Sequence, residues 1–118
     1  PGEPTAEEAT KLTDRLLKEH PDISVLCATN VGWGLAFARY LKSKGKKVKL
    51  VTVDFTDEVG EFMKAGYVDA AIVQRPESWG SMTLEKIEAV FEGQSIPKTI
   101  DTGTYPVTPA NIRIYVKD

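Results

Sequence analysis

A chain of 118 residues, 42% of them hydrophobic and with a formal net charge of -2, fits one domain with a modest core. It carries no excess of positive charge that would point to nucleic acid or a membrane surface. One cysteine, Cys27, excludes an internal disulfide, and one histidine, His20, leaves too little material for a histidine-based metal cluster or a catalytic triad. No run reaches the roughly 18 apolar residues of a membrane span. The opening Pro1-Gly2-Glu3-Pro4 has neither a signal peptide nor an initiator Met and is expected to be a linker, a processed end or a fragment edge.

Thr5 with Glu8 three residues on forms a capping-box pattern, and Ala9, Leu12, Leu16 and Leu17 continue it at helical spacing to His20, where Pro21 stops the helix. His20 in that last turn suits the helix dipole. Residues 23–29 read as a buried strand, with Cys27 expected as a buried structural thiol. A helix follows over about 33–44, with Leu35, Ala38 and Leu41 inward and Gly45 as its cap. The basic run Lys42-Ser43-Lys44-Gly45-Lys46-Lys47 falls at its carbonyl end, where positive charge is favourable.

Residues 48–53 read as a second strand. The helix over 56–65 turns Val59, Phe62 and Met63 inward and stops at Gly66. Residues 68–73 read as a third strand, and 76–91 as a helix with Met82, Ile87, Val90 and Phe91 among its apolar positions, ended by Gly93. The tail changes character, with extended segments expected at 100–107 and 112–116. Strand-helix alternation with short connections predicts an α/β fold, a parallel sheet with helical crossovers. Three parallel strands make a thin core, so further strands are expected from sequence outside this chain or from another chain.

Asn30, Asp54 and Gln74 each end an apolar strand run. Parallel strands share a carboxyl edge, and open α/β sheets bind ligands in the crevice outside it, so three hydrogen-bonding side chains are expected there. Helix capping is the competing explanation; it suits Asn30 and Asp54 and suits Gln74 poorly. Gly32-Trp33-Gly34 opens a helix after a strand, but Phe37 stands where the dinucleotide fingerprint needs its third glycine, and there is no Walker lysine. These glycines are expected to serve a tight turn and close helix packing. A phospho-acceptor receiver domain would use Asp54 but needs an acidic pair after its first strand and a lysine closing a late strand; here the chain opens with a helix, and Lys98 follows Pro97 in a loop.

Ala28-Thr29-Asn30, Val53-Asp54-Phe55-Thr56 and Ile72-Val73-Gln74-Arg75-Pro76 with Gly80, in this order and spacing, resemble the type I periplasmic sugar-binding proteins, and their ribose- and galactose-binding branch in particular. Glu92-Gly93-Gln94-Ser95-Ile96-Pro97 and Ile100-Asp101-Thr102-Gly103 are similar to the same family, so the resemblance runs from Ala6 to about Ile112. It implies a Rossmann-like lobe that is incomplete: residues 5–75 as part of a second lobe, 76–98 as a helix that packs on a missing first lobe, and 99–118 as a hinge return and C-terminal tail.

It further implies that Asn30, Asp54 and Gln74 hydrogen-bond sugar hydroxyls, a carboxylate accepting and each amide both donating and accepting. Trp33, Phe55 and Trp79 are the aromatic candidates for stacking on a sugar ring. The chain departs from the family at Val31, where an acidic residue is usual, and at Phe55, where glycine is usual; a bulky Phe55 would narrow the cleft or change ligand preference. The function implied is an extracytoplasmic sugar-binding protein or sensor, periplasmic or extracellular, without catalytic residue, metal or cofactor. Its partners would be a small-molecule sugar, the missing N-terminal part or another chain, and an ABC transporter or membrane sensor, with no nucleic acid and no direct membrane insertion. The alternative is the effector-binding core of a cytoplasmic repressor of the lactose-repressor type; a signal peptide upstream favours the first and a helix-turn-helix the second. An enzyme of flavodoxin-like architecture lacks a nucleophile-base pair.

Overall fold

In the computed structural model, which describes residues 5–115, the capping signal at Thr5 opens helix α1 (Ala6–Glu19). The Glu8 amide donates to the Thr5 hydroxyl at 3.2 Å, and the Glu8 carboxylate accepts from the Thr5 amide at 2.9 Å. Two donors that the helix cannot satisfy itself are thereby closed reciprocally. The hydrogen bond from the Thr5 amide, and after it one donated by the Thr5 hydroxyl at 2.8 Å, hold the Glu8 carboxyl below its usual range.

Strand β1 (Val25–Ala28) leads to helix α2 (Val31–Lys44), which ends on Gly45 in the left-handed conformation. Strand β2 (Lys49–Val53), helix α3 (Asp57–Lys64) and strand β3 (Ala70–Gln74) complete the alternation, so the third strand begins two residues later than expected. Helix α4 (Pro76–Phe91) starts with its proline in the first turn, where a missing N–H is harmless. Strand β4 (Thr104–Val107) and a 3-10 turn over Ile112–Ile114 follow. That turn corrects the expectation of a second extended segment. The Asn111 side chain accepts from the Thr108 amide at 2.7 Å, and the Ile112 amide donates back to the Thr108 carbonyl, so the chain coils instead of extending. Val116 lies outside the described residues.

The strands form one sheet in the order β1-β2-β3-β4, with β1, β2 and β3 parallel. Chain order thus equals spatial order. Right-handed crossovers that all step the same way put α2 and α3 on the same face. Leu26, Ala28, Leu50, Thr52 and Ala71 share that covered face and are buried. On the other face Val25 is 43% exposed, Cys27 is exposed, and Val51, Val53 and Ile72 are only half-buried. Cys27 is therefore not the buried thiol expected from its apolar neighbours; register put it on the open side of an edge strand.

Packing on the covered face is close. A β-carbon added at Gly34 would stand 2.1 Å from the Thr52 hydroxyl oxygen, so α2 meets β2 where only glycine fits. Ala38, Leu41, Leu50 and Val59 are wholly inaccessible, whereas Leu35, expected inward, is half-buried. Helix α1 packs on α2. Between them the buried Tyr40 donates its hydroxyl to Asp14 at 2.7 Å, and Lys18 pairs with the same carboxylate at 2.6 Å. Hydrogen bonds from Lys18 and then Tyr40 hold the Asp14 carboxyl below its usual range. The same bond pushes Tyr40 up to about 12.

The chain divides into two compact units. The first holds the chain up to Val73 and again from Pro106, and the second is Gln74–Tyr105. In the first, Val107 is wholly buried and Ile112 is 6% exposed, so the tail closes the core it belongs to. In the second, no residue of α4 is buried.

Candidate functional site

Asn30, Asp54 and Gln74 follow or close the carboxyl ends of β1, β2 and β3, and parallel pairing brings these ends to one sheet edge. Each arrives by different local physics. Asn30 caps α2: its side-chain oxygen accepts from the Trp33 amide at 3.0 Å. Its carbonyl accepts from the Gly34 amide at 3.1 Å and from the Thr52 hydroxyl at 3.3 Å, tying the turn to β2. The cap uses the amide oxygen, so the Nδ2 group is the part of Asn30 left for other work.

Asp54 does not cap. Thr56 caps α3, with its hydroxyl accepting from the Val59 amide at 3.2 Å. Asp54 sits instead at φ 67, the one non-glycine residue with positive φ among those described. Its amide donates to the Ile72 carbonyl at 2.8 Å, so the residue stays joined to β3 while its backbone leaves the strand conformation. Aspartate tolerates this left-handed region better than most residues but still does not prefer it, and such positions persist when the surroundings hold them.

Gln74 does not cap either. It is the last residue of β3 and the first of the second unit, and Arg75 is the N-cap residue of α4, without a side-chain cap hydrogen bond. The capping explanation thus holds for Asn30 and fails for Asp54 and Gln74.

The three aromatic candidates separate. Trp33 is half-buried at the start of α2, with its ring 5.8 Å from that of Phe37 one turn on. Phe55, half-buried beside Asp54, meets the Tyr115 ring at 6.3 Å and 57°. Trp79 is 40% exposed on α4, where it lines an apolar groove of about 550 Å³ with Met82, Ile87, Val90, Phe91 and Ile100. Nothing in the sequence pairs Tyr115 with Phe55; the contact depends on the 3-10 turn, which an extended reading of the tail misses. Among the described residues no group of three or more His, Cys, Asp or Glu side chains could hold a metal ion, and no helix is long and apolar enough to cross a membrane.

Residues 1–95 match the family model described as periplasmic binding protein domain. The chain belongs to the periplasmic binding protein family. Over 89 residues, 75% of this chain, this periplasmic binding protein sequence is 30% identical to the ribose import binding protein RbsB of Haemophilus influenzae, and it spans 30% of that relative's length.

An ABC transporter solute binding protein from Agrobacterium vitis, bound with α-D-tagatopyranose, superimposes with a TM-score of 0.77 at 28% identity, over 92% of this chain and 37% of that one. GanP, a glucose-galactose binding protein from Geobacillus stearothermophilus, superimposes with a TM-score of 0.80 over 92% of this chain and 40% of that one. At 19% identity GanP supports the fold alone. The periplasmic binding protein segment thus spans well under half of the relatives it matches.

Proposed function

We propose that the full-length protein containing this segment binds a sugar at the carboxyl edge of β1, β2 and β3. In that role Asn30, Asp54 and Gln74 hydrogen-bond sugar hydroxyls, and Trp33 and Phe55 offer aromatic surface. Asp54 carries the proposal: a carboxylate held in a disfavoured backbone conformation at a strand end, with no helix to cap, suits a ligand contact. A carboxylate accepts from two adjacent hydroxyls, Asn30 can donate through its Nδ2 group, and the Gln74 amide can answer a hydroxyl in either sense. The protein acts outside the cytoplasm as a receptor without catalytic activity. It closes on its ligand by hinge motion and hands it to an ABC transporter or a membrane sensor.

The rest of the full-length protein covers two surfaces left open here. One is the groove along α4, a helix with no buried residue. The other is the second face of the parallel sheet, since such sheets are found with both faces covered. Residues 76–98 then pack against a first lobe, and 99–118 form the hinge return and tail.

Calorimetric titration of the full-length protein with a panel of mono- and disaccharides tests the site. Asp54→Asn keeps the shape and tolerates the left-handed backbone but removes the charge. It is expected to weaken binding of the recognised sugar about tenfold or more, the scale of a lost charged hydrogen bond. Unchanged affinity in that variant sinks the site assignment.

A further inference from the structure

We infer that Tyr115 is a positioning residue for the ligand site, holding Phe55 so that Asp54 keeps its left-handed backbone and its aim; this rests on the sugar-site proposal above. The turn that carries Asp54 is fixed on one side by the bond from its amide to the Ile72 carbonyl at 2.8 Å. On the other side the chain passes at once to Phe55, ahead of the α3 cap at Thr56. A residue at φ 67 persists only while the structure around it holds it there, so the packing of the residue that follows bears on it. The restraint on Phe55 is the ring of Tyr115, 6.3 Å away and tilted by 57°. That is the tilted geometry aromatic pairs favour.

Tyr115 is 38% exposed and follows a turn closed by hydrogen bonds. Val107 is wholly buried and Ile112 nearly so. Between them Asn111 ties the turn at both ends, accepting from the Thr108 amide at 2.7 Å and donating to the Pro106 carbonyl at 3.0 Å. The Tyr115 amide then donates to the Ile112 carbonyl at 2.9 Å. These hydrogen bonds and buried side chains bring the Tyr115 ring to the Asp54–Phe55 turn from the far end of the described chain. Its effect on ligand is through orientation, and misplacement of a binding group by about 1 Å is enough to lower function by up to about a hundredfold.

The test uses the full-length protein, titrated by calorimetry with D-ribose, D-galactose, D-arabinose and D-tagatose. For whichever of these binds, Tyr115→Ala is expected to lower affinity about tenfold, and by more than Tyr115→Phe, which keeps the ring. In the Asp54→Asn background Tyr115→Ala is expected to add little, because the group it positions has already lost its charge. A role in stability alone would not show that dependence on Asp54.

If Tyr115→Ala binds like wild type while Asp54→Asn is weakened, the positioning role is overturned and the sugar site stands. If Asp54→Asn is not weakened, the site itself fails. Should Tyr115→Ala unfold the protein, Tyr115→Leu keeps the bulk without the ring, and wild-type affinity in that variant overturns the role equally.

Discussion

The two units use apolar residues in opposite ways. In the first, Leu41, Leu50, Val59 and Val107 are wholly buried, and helix α2 alone contributes six buried residues. In the second, α4 is a longer helix bearing Trp79, Met82, Leu84, Ile87, Val90 and Phe91, yet none of its residues is buried, and Phe91 is 88% exposed. Both helices have sound local signals: an asparagine cap and Gly45 for α2, and a proline start for α4 with Gly93 two residues beyond its end. Local signals therefore shape a helix without saying what it packs on. A helix apolar on more than one side is found in interiors.

The contrast can be broken most directly by truncating one apolar residue in each unit. Leu50→Ala is expected to destabilise this chain by about 2–5 kcal/mol in urea unfolding. Phe91→Ala is expected to change it by less than about 0.5 kcal/mol, as for a surface site. Equal effects would erase the distinction. The same Phe91→Ala change in the full-length protein sharpens it, since a loss of about 2 kcal/mol there is the mark of a covered side chain.

Next in size is Gly34→Ala, which drives a methyl into Thr52 and is expected to cost about 1–3 kcal/mol in the same assay. Adding Thr52→Ala removes the hydroxyl but leaves that residue's β-carbon 2.6 Å from the new methyl, so only part of the loss returns. Full recovery would mean that the two elements are not as tightly seated as the distances require.

Smallest is the pH response of Tyr40. Its pKa is raised from 10.0 in the unfolded chain to about 12 in the folded one. The folded state therefore binds the proton more tightly, and this contribution is present below pH 10 and lost as pH rises from 10 to 12. Thermal unfolding of wild type is expected to fall more steeply across that window than that of Tyr40→Phe. Asp14 works in the opposite sense: its lowered pKa gives a contribution present at neutral pH and lost on acidification.

Where the chain speaks through short-range chemistry, the sequence was easy to follow. Thr5 with Glu8, Thr56, Gly45 and Pro76 mark helix ends by hydrogen bonds and backbone angles within a few residues, and the helices they bound are found where expected. The placement of Asn30, Asp54 and Gln74 at strand ends follows from the same alternation.

What could not be read needed partners distant along the chain. Cys27 looks inward by its neighbours, but which face of a strand is covered depends on all crossovers stepping one way. The left-handed turn at Asp54 leaves no trace, since glycine would have signalled it and aspartate does not. Tyr115 meets Phe55 only because the tail coils at Asn111.

The equality of chain order and sheet order has a kinetic consequence. Strands β2 and β3 each pair with the strand synthesised just before, separated from it by a single helix. Each pairing therefore becomes available in the order in which the polypeptide emerges, without waiting for the tail. Val107 and Ile112, which seal the same core, are made after the whole of Gln74–Tyr105. During synthesis the first unit therefore waits with its last core positions unfilled, a window in which a chaperone or a misplaced apolar segment can occupy them.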